Sequence, residues 1–341
     1  MNNSERKQEL LESGLVDSIK SLFQIKTGNI PEKYYILMAD YIDSIAMLHD
    51  VGGTNLDALE IARRLPEVIE EISEKDLGGI YGVTEHKKIA MSNLLGEDAN
   101  KLYFFHELTH ALQTWEEKGI EHCGFSNGHN GLFFAEASAQ YTAEILYHIS
   151  NGTALPPKTE RTVRGQPGHT TYSFLSEYQL NGNILELFAT TIGMSLADIL
   201  DLGFDRKGRE KLENKYDTEN MLAGSLYPSF DELMDDLEMV YDIDKAILAG
   251  HAKLLAERPV SMQGTNGQRF YGSLSKQDEL ITKAEQNLSA AFISFNDNDY
   301  IEKKYHLVEN CLTTPKLKQN LINGAEIILR EQESFQSGMN K

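Results

Sequence analysis

The feature that most constrains this chain is a pair of histidines, His106 and His110, which lie four residues apart with Glu107 beside the first. Side chains at positions i and i+4 of an α-helix point the same way, so both imidazoles could reach one metal ion. A hydrolytic zinc site takes three protein ligands and leaves one position for water. The fold is therefore expected to bring a third ligand to this helix, with Glu107 as the candidate general base.

The residues around the motif predict an amphipathic helix that begins at Glu97 and runs to about Lys118. On its wheel, the face that carries His106, His110 and Gln113 lies opposite an apolar face. The apolar face consists of Phe104, Leu108, Ala111 and Trp115. The helix is thus expected to pack by one side and to present its histidines from the other.

One known source of a third ligand lies just after the motif. In the metzincin pattern, a glycine at position 113 would break the helix and a histidine at position 116 would bind the metal. The residues at these positions are Gln113 and Glu116. This pattern therefore fails, and the third ligand is expected from a later segment.

A second strongly patterned helix is predicted from Leu132 to Ile149, with its end near Asn151. Four alanines in it would let another helix come close: Ala135, Ala137, Ala139 and Ala143. Glu136 is the favoured third ligand because it belongs to this helix. Glu144 and Glu121 remain alternatives.

Two strings in these segments, His106-Glu107-Leu108-Thr109-His110 and Phe133-Phe134-Ala135-Glu136-Ala137, together resemble the gluzincin branch of the zincin metallopeptidases. The second string is weakly similar to the catalytic domains like that of anthrax lethal factor. The resemblance covers about residues 78 to 150. It implies that His106, His110 and Glu136 bind zinc and that Glu107 is the general base.

The resemblance also implies a mechanism of peptide-bond hydrolysis. Zinc would polarise the scissile carbonyl, while Glu107 would remove a proton from the zinc-bound water and deliver it to the leaving amine. A nearby donor would stabilise the tetrahedral oxyanion. The candidates for that donor are His129, His169, Tyr172 and Tyr178.

The chain departs from the family pattern at two positions. Many gluzincins carry an aspartate four residues after the third ligand, where it orients a zinc histidine, but this chain has Gln140. Lethal-factor-like enzymes carry a tyrosine seven residues before the ligand, where this chain has His129. The identity of the oxyanion-stabilising residue is therefore left open.

Outside the motif, residues 4 to 75 predict three helices, separated near Pro31 and Gly53. The first carries the apolar positions Leu11, Leu15, Ile19 and Leu22. The second has its apolar positions from Ile36 to Leu48, and the third carries Leu56, Leu59, Ile69 and Ile72. The β-leaning segments Ile80–Val83 and Lys88–Met91 predict a hairpin or two strands of a small sheet. The resemblance implies that they form the edge strand that pairs with an extended substrate.

From residue 184 onward the pattern again predicts helices, with turns near Gly203, Pro228, Pro259 and Gly264. The expected fold class is α+β, mostly α. A helical N-terminal part (1–77) and a helical C-terminal part (201–341) would flank a zincin-like catalytic core with a small sheet (78–200).

The charge and the apolar pattern limit the partners and the location. A formal net charge of −20 argues against nucleic acid as a partner. No apolar run approaches the length of a membrane span, and the N-terminus lacks the apolar core of a secretory signal. With only two cysteines, the expected location is the cytoplasm, or outside the cell after effector-type export without a cleavable signal.

The leading hypothesis is a zinc-dependent endopeptidase, a hydrolase that acts on a protein or peptide substrate. One alternative is a non-catalytic interaction protein that zinc merely stabilises. Another is a zinc aminopeptidase or small-amide hydrolase, for which Glu116 or Glu144 could anchor a substrate amine. The sequence leaves the oligomeric state open.

Overall fold

The structure is a computed structural model of the 341-residue chain. It describes residues 3–25, 30–73, 82–85, 87–126, 131–153, 193–219, 230–231, 234, 260–263 and 269–272. Within these ranges the fold is α+β and mostly helical, as expected for the fold class. None of the helices described there is both long and apolar enough to cross a membrane.

Four helices occupy the N-terminal region: α1 (Asn3–Glu12), α2 (Leu15–Ile25), α3 (Glu32–Asp50) and α4 (Ala58–Ala62). The single first helix that the sequence predicted is divided at Gly14, whose φ of +80° is readily adopted only by glycine. As a result Leu11 is exposed at the end of α1, whereas Leu22 is buried on α2.

The prediction of a third helix is largely wrong, because only the first part of that segment is helical and forms α4. The residues that follow form strand β1 (Val68–Ile72), so Ile69 and Ile72 lie on a strand. Pro66 ends the helical pattern, since proline disfavours helical backbone at the preceding residue and donates no hydrogen bond. The β-branched residues after it then suit a strand.

The predicted pair of strands is confirmed as β2 (Gly82–Glu85) and β3 (Lys88–Ser92). These strands are antiparallel, with Thr84 opposite Ile89. Strand β1 runs parallel to β3 on its other side, which gives the order β1-β3-β2. Strand β2 is therefore an edge strand of the described sheet.

Helix α5 (Glu97–Gln113) ends five residues before the predicted position, Lys118. The chain passes directly into strand β4 (Thr114–Glu117), which forms a two-stranded sheet with β5 (Ile120–Cys123). Lys118 and Gly119 have φ angles of +53° and +77°, as a tight hairpin turn requires. Trp115 consequently lies on a strand and stacks on His122, not on the apolar face of α5.

The second patterned helix is confirmed as α6 (Leu132–Asn151), which Gly152 follows with a φ of +64°. Later in the chain the structure describes two shorter helices, α7 (Leu196–Phe204) and α8 (Gly208–Glu219). Strands β6 (Val260–Gln263) and β7 (Arg269–Gly272) form an antiparallel pair within the part 201–341 that was expected to be helical, in a stretch where the sequence predicted turns near Pro259 and Gly264.

The chain divides into two compact units, and residues 3–114 and 142–153 belong to the first. In this unit β2 and β3 contact α5, and α3 contacts α2, α4 and α5. Its core includes the buried rings of Tyr34, Tyr41, Phe104 and Phe105.

A buried ion-pair network joins four helices of the first unit. Asp40 on α3 accepts a hydrogen bond of 2.8 Å from Arg6 Nε of α1, and its other oxygen lies 2.7 Å from Lys101 Nζ of α5. Ser150 of α6 donates to the same carboxylate, and Arg6 also pairs with Asp43. Burial alone would raise the pKa of Asp40, but Lys101 and Arg6 outweigh burial and lower that pKa below its ordinary value.

Residues 115–141 and 193–219 belong to the second unit. There Phe125 packs edge-on against Phe134, which in turn contacts Phe133. Arg209 of α8 donates a 3.1 Å hydrogen bond to the backbone carbonyl of Phe125. Gly131 lies so close to these groups that a Cβ there would be 2.5 Å from the carbonyl oxygen of Phe125. The backbone just before α6 is therefore restricted to glycine.

Candidate metal centre

Two histidines of α5 lie side by side in the structure. The Nε2 atoms of His106 and His110 are 3.1 Å apart, and their rings are nearly perpendicular. Both side chains are buried. Two nitrogen ligands of a tetrahedral zinc ion, each about 2.0–2.1 Å from the metal, lie about 3.3 Å apart. The pair is therefore arranged almost as a shared metal would hold it.

Helix α3 supports the turns of α5 that carry the histidines. Phe105 packs edge-on against Tyr41, with ring centroids 5.2 Å apart. The Tyr41 hydroxyl lies 2.8 Å from Thr109 Oγ1, which donates to the carbonyl of Phe105. Burial raises the pKa of the Tyr41 phenol, so that it stays neutral. Contacts with the core thus fix the turn of α5 that carries the histidines.

Glu136 comes from α6 and is half-buried. Its carboxylate and the ring nitrogens of His106 and His110 offer three ligand atoms that all lie within 4.8 Å of one another. The structure thus brings together the three residues that the sequence predicted as metal ligands. Of the two alternatives, Glu144 is buried farther along α6 and Glu121 lies on β5, and neither belongs to this group.

The donor set fits a metal ion. Two neutral imidazoles and one carboxylate are a common ligand set of hydrolytic zinc, and they leave a position for water. The set suits zinc better than calcium or magnesium, which prefer oxygen ligands.

The carboxylate of Glu107 is held from the side of the sheet. Thr84 Oγ1 of β2 lies 2.8 Å from Glu107 Oε2 and 2.9 Å from the backbone carbonyl oxygen of the same residue. A Cβ on Gly82, two residues earlier, would lie 2.7 Å from Glu107 Cγ. The edge strand therefore packs directly on the side chain that was predicted to be the general base.

Sequence reasoning found Glu107 but missed both Thr84 and Gly82. A glycine inside a strand pattern often marks a close approach of another group, and this signal was available for Gly82. Nothing in the sequence distinguished Thr84 from other strand threonines, because its partner lies 23 residues away.

Gln113 ends α5 on the face that carries the histidines. Its side chain is 1% exposed, and neither of its amide atoms has a hydrogen-bond partner among the described residues. Buried amide groups normally have partners, and an exception calls for an explanation such as an unseen water or ligand. The sequence placed Gln113 on this face but gave no sign that its amide would be unsatisfied.

The other predicted site residues are placed only in part. Gln140 is buried on α6, four residues after Glu136. Glu116 is exposed on β4. All four candidates for the oxyanion donor lie outside the described residues: His129, His169, Tyr172 and Tyr178.

Comparison of the chain with models of protein families, with curated proteins and with solved structures gave no match. The assignment of function therefore depends on the residues of the centre and their geometry.

Proposed function

We propose that this chain is a zinc metallopeptidase, an endopeptidase that hydrolyses peptide bonds in an extended protein segment. The proposal depends on one observation: the ligand atoms of His106, His110 and Glu136 lie close together, and Glu107 directly follows His106. The three would hold zinc, and the resemblance to gluzincins assigns the same roles to the same residues.

Zinc bound there would supply a polarised substrate carbonyl and a water whose pKa falls to roughly 7. Glu107 then acts as a general base that takes a proton from the attacking water. Glu107 next returns this proton to the amine that leaves when the peptide bond breaks. A donor from outside the described residues would stabilise the oxyanion, and the candidates remain His129, His169, Tyr172 and Tyr178.

The position of β2 supports an extended substrate. One edge of β2 pairs with β3, while its other edge has no strand partner in the described sheet. Such an edge offers backbone donors and acceptors to an added strand. Because Thr84 of this strand contacts Glu107, a peptide paired along β2 would pass close to the general base.

The proposal is tested with the zinc-loaded full chain and a randomised peptide library. We expect one zinc per chain and internal cuts in library peptides. Glu107→Gln should abolish cleavage while zinc content and the melting temperature stay unchanged, because glutamine cannot accept the proton. Glu117→Gln makes the same chemical change at an exposed glutamate of β4 and should leave cleavage intact.

Three results would contradict the proposal. Full activity in Glu107→Gln would exclude the mechanism. Removal of single terminal residues would indicate an aminopeptidase instead. If chelation lowers the melting temperature and no peptide is cut, zinc has only the structural role of an interaction protein.

A further inference from the structure

Thr84 and Glu107 are joined by a hydrogen bond that links the edge strand to the predicted general base. We propose that Thr84 is a positioning residue: its hydroxyl holds Oε2 of Glu107, so that Oε1 alone accepts and returns the proton. This inference depends on the proposed peptidase function, and it names a residue on which the orientation of the base depends.

The Thr84 hydroxyl has one hydrogen and two acceptors within reach. The carbonyl oxygen of Glu107 lies inside α5, where carbonyls accept the hydrogen bonds of the helix. A carboxylate oxygen is a stronger acceptor than a backbone carbonyl that already accepts a helical hydrogen bond. The hydroxyl therefore donates to Oε2, at 2.8 Å.

The strand that carries Thr84 is fixed in position. Thr84 lies opposite Ile89 and Gly82 lies opposite Met91, and both partners are fully buried on the central strand β3. Contacts of β2 and β3 with α5 complete this frame. The hydroxyl is consequently held by the backbone of a paired strand. A strand residue can orient the carboxylate more precisely than a loop residue can.

Gly82 restricts the same carboxylate from a second direction. A Cβ at Gly82 would lie 2.7 Å from Glu107 Cγ and 3.1 Å from Oε1. The side chain of Glu107 therefore lies against the backbone of Gly82 with no room for another atom. One oxygen is held by a hydrogen bond and the stem is confined by packing, so Oε1 is the oxygen that the Thr84 hydroxyl leaves free.

The first experiment compares Thr84→Val, Thr84→Ser and Thr54→Val in the zinc-loaded full chain. The substrate is a fluorogenic peptide that the wild-type chain cleaves. We expect Thr84→Val to lower kcat about 10- to 100-fold while KM and zinc content stay unchanged. Losses of this size are typical when a residue that orients a group of a metal site is removed. Thr84→Ser keeps the hydroxyl and should restore most of kcat. Thr54→Val makes the same change at another buried threonine, which caps a turn at Leu56, and should leave kcat unchanged.

The second experiment needs no metal and no substrate. Urea unfolding of the metal-free chain is measured for Thr84→Val, Glu107→Ala and the double variant. If the two side chains interact, Thr84→Val should lower the urea midpoint less in the Glu107→Ala background than in the wild-type chain. Equal shifts in both backgrounds would refute the hydrogen bond.

The failures of the two proposals can be told apart. Suppose that Glu107→Gln is inactive, so that the peptidase function stands. The inference about Thr84 is then overturned if Thr84→Val keeps full kcat, or if Thr84→Ser loses as much kcat as Thr84→Val does. A loss of zinc in Thr84→Val would also overturn it, because the role would then be structural. If the wild-type chain cuts no peptide, the proposed function fails and the inference fails with it.

Discussion

Gly82 and Glu107 approach each other so closely that no side chain fits between them. The point that a Cβ on Gly82 would occupy is 2.7 Å from Glu107 Cγ and 3.1 Å from Met91 Sδ. Separations below about 3.0 Å are not tolerated by real Cβ atoms, so one of these groups would have to move. The strand residue thus sets the position of the side chain on the helix.

The first prediction concerns Gly82→Ala. The added methyl group should displace the Glu107 carboxylate, and a shift of about 1 Å in a catalytic group can cost roughly 100-fold in rate. We expect kcat to fall by a factor of this order while zinc content is unchanged. Gly96→Ala is the matched control, because a Cβ there meets nothing within 4 Å. Wild-type kcat in Gly82→Ala would show that the carboxylate position is not critical.

The second prediction separates the three glutamates considered as ligands. Loss of a residue that only orients a metal ligand weakens metal binding roughly 10- to 100-fold. Glu136→Gln should weaken zinc binding by more than this, because it removes a charged ligand. Glu121→Gln and Glu144→Gln should bind zinc as the wild type does, since neither residue belongs to the ligand group. Competition with a fluorescent zinc chelator measures all four affinities. A larger loss in either control variant would reassign the third ligand.

The third prediction concerns acid stability. The pKa of Asp40 is lowered in the folded chain, despite burial, by Lys101 and Arg6. A lowered pKa means that Asp40 stabilises the fold above its unfolded pKa, which is about 3.9. This contribution is lost as the pH falls below about 4 and through the folded pKa. Urea unfolding between pH 6 and acid conditions should therefore show stability falling in this window.

Asp40→Asn is the variant that identifies the group responsible. At pH 6 it should lower the free energy of unfolding by about 3–5 kcal/mol, because Lys101 and Arg6 lose a buried partner. Its stability should also fall less steeply in acid than that of the wild type. A slope identical to the wild-type slope would assign the acid sensitivity to other carboxylates.

The fourth prediction concerns Gln113, whose buried amide lacks a partner among the described residues. In the metal-free chain, Gln113→Leu should raise the free energy of unfolding by about 1 kcal/mol, because an unsatisfied buried polar group costs about 1–3 kcal/mol. Chemical denaturation measures this change, and lower stability would mean that water or another group satisfies the amide. Gln140→Leu makes the same substitution at another buried glutamine, and its free energy of unfolding is measured for comparison.

The three candidate metal ligands could be predicted from sequence because each is marked by a local pattern. The spacing of His106 and His110 follows the helical repeat, and Glu136 lies in a helix with clear limits at both ends. The structure places these three side chains together, as expected. The roles assigned to them in catalysis remain predictions.

The elements that were missed depend on contacts between distant residues. Helix α5 was extended to Lys118 because Trp115 fits the apolar face of the wheel, whereas pairing of β4 with β5 decides its actual position. Strand β1 was taken for helix because its pairing with β3 cannot be read from five residues. In both cases tertiary pairing outweighed a local helical pattern.

Helix α6 also sets what a mutational scan of this chain can reveal. Of its 20 residues, only Leu132, Glu136 and Tyr147 are half-buried, and all the others are buried. Most substitutions in α6 should therefore reduce the yield of folded protein before any effect on activity can be seen. Glu136, one of the three half-buried residues, differs from the buried ones: changes there should give chains that accumulate normally but lack function, and selection for expression alone would not remove them.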